Sequence, residues 1–201
     1  MTELPESAFE YCKNIKEIYL PASINLIKKG AFLACNNIKH FASPGVKIIR
    51  QSAFGDTWIE GIKSSELVEV TGIAGPKLYQ LLDTRGILFS RHNDDSNTFV
   101  TYLAADFENY NNLILYKLNS EYIKNSTKPG QDLLVDVHPN TLSISDWAFS
   151  KGPKRGSVTH VDCSKANKLF YIGDNAFHTS YLTNFTLPDS GEIQLIDKSA
   201  F

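Results

Sequence analysis

The closest this chain comes to a catalytic arrangement is His160-Val161-Asp162-Cys163, where an imidazole, a carboxylate and a thiol follow one another. A cysteine thiolate activated by a neighbouring histidine is the chemistry such a set would offer. The local geometry argues against it. Side chains alternate along a strand, so His160 and Asp162 share one face while Cys163 points to the other. The stretch reads as two solvent-facing polar residues and one core cysteine. The sharper motifs are missing: no HExxH, no Gly-x-Ser-x-Gly elbow, no phosphate-binding loop and no CxxC. Asp94-Asp95-Ser96-Asn97 has oxygen ligands for a calcium ion but lacks the spaced positions and terminal Glu of a dedicated loop, and reads as a solvated hairpin tip. No catalytic, cofactor-binding or metal-binding residues are therefore expected, and a hydrolase is the least favoured reading.

Bulk properties narrow the partners. The chain has 201 residues, 42% hydrophobic and 21% charged, with a formal net charge of −2. That balance gives no drive toward nucleic acid or anionic lipid. No apolar run approaches the roughly 20 residues of a membrane helix, and the first residues show no secretory signal. Three cysteines are too few for a disulfide scaffold. Asn125-Ser126-Thr127 and Asn184-Phe185-Thr186 are glycosylation sequons, relevant only in a secretory pathway that glycosylates.

What must position any functional residue is a repeat. Six of the twelve phenylalanines directly follow an alanine, and each pair has Leu or Ile four residues before the Ala. The set is Leu4…Ala8-Phe9, Ile27…Ala31-Phe32, Ile49…Ala53-Phe54, Ile144…Ala148-Phe149, Ile172…Ala176-Phe177 and Ile196…Ala200-Phe201. Successive Phe are 23, 22, 95, 28 and 24 residues apart. The long gap is close to four periods, so degenerate or inserted turns are expected within it. Between the pairs, IKEIYLP at 15–21 aligns with IKHFASP at 38–44, VTHVDCS at 158–164 and LTNFTLP at 182–188. The alternation there is that of a half-buried strand, stopped by Pro in three cases. The Ala-Phe segment is too short for an independent helix and reads as one tight helical turn. A unit of this size buries its apolar side only by stacking on its neighbours, which makes a continuous core.

The pattern I-x-x-x-A-F-x-x-C-x-x-[IL]-x-x-[IF]-x-L-P resembles the BspA-type leucine-rich repeat, most closely over residues 4–54. The resemblance implies a repeat solenoid: a right-handed superhelix with one short strand and a tight helical turn per repeat of about 22–24 residues. Regular turns are expected at 1–62 and 135–201, within a single domain spanning 1–201. Residues 63–134 break the rhythm and read as a β-hairpin-rich insertion, with strands at Gly86–Ser90, Thr98–Ala104, 111–120 and 132–139 and a Pro-Gly turn at 125–131. Gly86-Ile87-Leu88-Phe89 and Leu113-Ile114-Leu115-Tyr116 resemble an interruption found in the family, here enlarged by Thr98–Tyr110. Cys12 and Cys35 fall at the same repeat position. Stacked strands about 4.8 Å apart would allow a disulfide, yet a buried thiol ladder suits the slot better and is favoured.

The expected ligand-contact face is the set of outward strand positions: Glu17, Tyr19, His40, Ala42, His160, Asp162, Asn184 and Thr186. Mixed charge with an aromatic and two histidines suits a protein or a glycan better than a phosphate backbone, which calls for Lys and Arg. The resemblance further implies cell-surface or secreted proteins of host-associated bacteria and some protists, linked to adhesion and protein binding. The expectation is thus a non-enzymatic binding module for a protein or glycan ligand, host-derived ones included, without nucleic acid, membrane insertion or a cofactor. The alternative is a structural stalk in a longer repeat protein with binding elsewhere. The bare Ala200-Phe201 ending favours an excerpt of such a protein.

Overall fold

Pairs and triplets of apolar residues punctuated by Pro, Gly and Asn cannot make long strands, and the chain resolves this by stacking many short ones. The computed structural model describes residues 2–38, 40–55, 77–81, 87–91, 98–103, 113–118, 132–150, 158–190 and 193–201. For His40, Ala42, 77–81, 87–91, 98–103 and 117–118 it describes the backbone alone. The hairpin tip at Asp94–Asn97, the sequon at Asn125 and the turn at 125–131 lie outside the described residues.

The N-terminal turns alternate between two parallel sheets. One holds β1 (Glu3–Leu4), β3 (Leu26–Ile27) and β5 (Ile48–Ile49); the other pairs β2 (Glu17–Tyr19) with β4 (His40–Ala42). The C-terminal turns repeat the scheme. There β10 (Asp132–Asp136), β12 (Val158–Asp162) and β14 (Asn184–Thr186) stack in one sheet, and β9 (Leu113–Leu118), β11 (Thr141–Ile144), β13 (Tyr171–Ile172) and β15 (Leu195–Ile196) in the other. All these pairings are parallel, as successive turns of a solenoid require. Each turn thus carries two strands, where one was expected. The second, two residues long in all cases but β11, holds the Leu or Ile that precedes Ala by four, and is too short to show a period of two.

The middle of the chain joins these same sheets. β7 (Ile87–Arg91) and β8 (Thr98–Leu103) form the expected hairpin, antiparallel, and β8 then pairs parallel with β10. β6 (Lys77–Leu81), which has no counterpart in the sequence reading, pairs parallel with β9.

The Ala-Phe segment is a run of overlapping β-turns; there is no helix among the described residues. Around Gly30 the turns close through Ala31 N to Lys28 O, Leu33 N to Gly30 O and Cys35 N to Phe32 O. The residue before each Ala has positive φ: Ser7, Gly30, Ser52, Trp147, Asn175 and Ser199. Tyr11, Ala34 and Thr179, four residues further on, do too. A left-handed residue at the third position is the signature of a type II turn and stops a right-handed helix from starting. The amides so freed point along the solenoid axis, where Phe9 N reaches Ala31 O, Phe32 N reaches Ala53 O, Phe149 N reaches Ala176 O and Phe177 N reaches Ala200 O, each at 2.7 Å. The strand ladder therefore continues around the corner.

Inside, the rings stack. Phe9, Phe32 and Phe54 lie 5.5 and 5.3 Å apart, nearly parallel, and Phe149, Phe177 and Phe201 follow at 4.8 and 5.1 Å. Phe41 and Phe185, the central residues of β4 and β14, meet these ladders edge-on. Backbones of adjacent turns approach so closely that a Cβ on Gly45 would sit 1.9 Å from the Ala22 carbonyl oxygen. There only glycine fits.

Candidate functional site

The expected contact residues fall into register as rows one rung apart. Glu17 lies opposite His40 and Tyr19 opposite Ala42 across β2 and β4. His160 lies opposite Asn184, and Asp162 opposite Thr186, across β12 and β14. β10 extends these rows with Leu134 and Asp136, on a stretch that the broken rhythm of the sequence places in the irregular insertion. Tyr19 is 70% exposed, and its hydroxyl donates to Glu17 Oε2 at 3.3 Å. Asn184 and Thr186 are exposed, while His160 and Asp162 are half-buried. The His160 Nδ1 sits 2.9 Å from Thr159 Oγ1, and Asp162 Oδ1 accepts the Ser164 amide at 2.8 Å. Part of the Asp162 carboxylate is thus engaged in ending its own strand.

The sulfur atoms sit on the other side of the sheets. Cys163 is fully buried, and burial, helped by the Asp162 charge, pushes its thiol up to about 12. A thiol in that setting stays protonated near neutral pH and is a core residue. Cys12 and Cys35 are free thiols; Cys35 donates from Sγ to Phe9 O at 2.9 Å, and burial raises its pKa. Among the described residues, no three of His, Cys, Asp and Glu gather where they could hold a metal ion.

A second cluster lies where the two sets of turns meet, and no motif announced it. Arg50, just after β5, donates from Nη1 to Asp197 Oδ2 at 2.6 Å, to Asp146 Oδ1 at 3.3 Å and to the Tyr171 hydroxyl. Its guanidinium carbon stands 5.2 Å from the centre of the Tyr171 ring. The Tyr171 hydroxyl has one proton to share between Asp146 Oδ1 at 3.0 Å and Asp197 Oδ2 at 3.3 Å. Asp146, its side chain only 6% exposed, also accepts the Asp174 and Gln51 amides at 3.0 and 3.2 Å. Nearby, Ser143 Oγ donates to Lys47 O at 2.9 Å.

Electrostatics follow from that geometry. Burial disfavours the charged carboxylate of Asp197, but the Arg50 hydrogen bond, the Lys198 amide and the Arg50 charge outweigh it and hold its pKa below the ordinary value. Burial likewise works against the Arg50 cation, yet its bond to Asp197 and the surrounding carboxylates raise its pKa. Burial first, then the Asp146 charge, keeps Tyr171 a neutral phenol. Packing joins the halves as well: Ile114 and Tyr116 of β9 sit in the N-terminal core, Leu113 and Leu115 in the C-terminal one.

Stacked short parallel strands around a buried phenylalanine ladder define a leucine-rich-repeat solenoid. The model of the BspA type leucine rich repeat region matches in 6 copies over residues 1–73 and 133–201, and the chain belongs to that family, whose members are generally surface-associated repeat proteins. No curated protein and no solved structure matches the chain.

Proposed function

We propose that residues 1–201 act as a single non-enzymatic binding domain of a surface-located repeat protein, which takes a protein or glycan ligand on the outward strand face. The observation that carries this reading is the register. Residues of mixed chemistry fall into register rung by rung on parallel strands, with Tyr19 exposed to solvent. Solenoids present extended surfaces of this kind, and an exposed tyrosine supplies large contact area at little cost in conformational entropy. Membership of a family of surface-associated repeats supports the location. The test is a capture assay and a glycan array with the wild-type chain, Tyr19→Ala and His40→Ala. A ligand bound by the wild type should be lost or weakened at least about tenfold in one variant. A ligand held equally by all three proteins refutes this face.

A further inference from the structure

The sequon Asn184-Phe185-Thr186 coincides with β14, and its side chains part as strand alternation requires. Phe185 packs against the C-terminal core and meets Phe177 and Phe201 edge-on at 5.3 and 5.2 Å. Asn184 and Thr186, two residues apart, are exposed on the opposite face. Neither side chain has a hydrogen-bond partner among the described residues. Other asparagines are spent on the fold. Asn37 Nδ2 donates to Lys13 O at 2.6 Å, Asn175 Nδ2 donates to Asp174 Oδ1 at 2.8 Å, and Asn167 Oδ1 accepts the Ser190 amide at 3.2 Å. None of these three has Ser or Thr two residues on. The residues in register on β12, His160 and Asp162, are half-buried and engaged with Thr159 and the Ser164 amide. Asn184 thus has a free amide nitrogen, a hydroxyl two residues on along the same face, and solvent above it.

We propose that Asn184 is an N-glycosylation site, taking an oligosaccharide from a polyprenyl-pyrophosphate donor. The proposal rests on the surface-located reading, because a secretory route is what brings a chain to such a donor. In the transfer the bond from Asn184 Nδ2 to the sugar C1 forms as the bond from C1 to the pyrophosphate oxygen breaks. The lipid pyrophosphate leaves, and the amide proton passes to a base of the transferase. No bond within the fold is lost, since the Asn184 amide makes none. The glycan would stand on the sheet that holds β10 and β12, whereas Tyr19 belongs to the separate sheet of β2 and β4. The outward face would then divide into a glycan-bearing part and a part left open to a ligand.

The test is cell-free translation of the 201-residue chain behind a cleavable secretory leader, with endoplasmic-reticulum microsomes, read by peptide-N-glycosidase digestion and mass spectrometry. Wild-type and Thr186→Ser chains should carry a glycan at Asn184, and Thr186→Ala and Asn184→Gln chains should lose it. The glycosylated chain and Asn184→Gln should unfold at the same urea concentration. An unmodified Asn184 in the translocated wild-type chain overturns the proposal, as does modification that persists in Thr186→Ala. A glycosylated chain that unfolds at lower urea than Asn184→Gln overturns it too, because the glycan would then displace contacts of the fold. Ligand capture through Tyr19 is a separate readout, so the strand-face reading stands or falls independently of these outcomes.

Discussion

In the N-terminal turns the two residues after the second strand are Pro5-Glu6, Lys28-Lys29 and Arg50-Gln51; in the C-terminal turns the same positions hold Ser145-Asp146, Gly173-Asp174 and Asp197-Lys198. The ladder beneath is the same in both. Phe32 is stacked between Phe9 and Phe54 with Phe41 edge-on, and Phe177 between Phe149 and Phe201 with Phe185 edge-on. The difference shows which positions the repeat constrains. Inward residues must match from turn to turn because they pack on their own equivalents, whereas corner residues project outward and can change sign. Here the change brings a cation of one set against the carboxylates of the other.

The shared ladder can be broken first. Phe32→Ala and Phe177→Ala should each lose about 3–5 kcal/mol in urea melts, since both rings are buried with neighbours above and below. Phe9→Ala, at a half-buried end with one stacked neighbour, should lose clearly less. Equal losses at Phe9 and Phe32 would mean that the rings do not act as a stack.

The corner comes next. Arg50→Ala should cost about 2–3 kcal/mol at neutral pH, the scale of hydrogen bonds to charged groups. The sign with pH follows from Asp197. Its pKa is depressed in the folded chain, so its contribution is complete above the unfolded value of about 3.9 and is lost as pH falls through the folded one. Wild type and Arg50→Ala should therefore converge in acid. A gap that stays constant on acidification would remove Asp197 from the account.

The smallest effect concerns the turns. Ser52→Gly and Asn175→Gly should each raise stability by about 0.5–1 kcal/mol, because a left-handed backbone burdens any residue with a Cβ. Ala31→Gly, in the same segment but without positive φ, should lower it by a similar amount. Stabilisation at Ala31 would contradict the assignment of left-handed positions.

The ladder was legible in the letters because Ala, Phe and the preceding Ile recur at fixed offsets, and the outward face followed from strand alternation at Ile18-Tyr19-Leu20. The turns were misread as helical because the left-handed position is filled by Ser, Asn or Trp in five of the six cases and by Gly only at Gly30. The Arg50 cluster stayed hidden because it joins residues 96, 121 and 147 positions apart. Its one trace was the switch from Lys and Arg to Asp at equivalent corners, which has meaning only once the two corners are known to face each other.

That facing is tested most directly by a double-mutant cycle on Arg50→Ala and Asp146→Ala, measured by urea unfolding at neutral pH. A direct contact predicts a coupling of about 1 kcal/mol or more between the two substitutions. Additivity within about 0.5 kcal/mol would contradict the docking of the N-terminal corner on the C-terminal one.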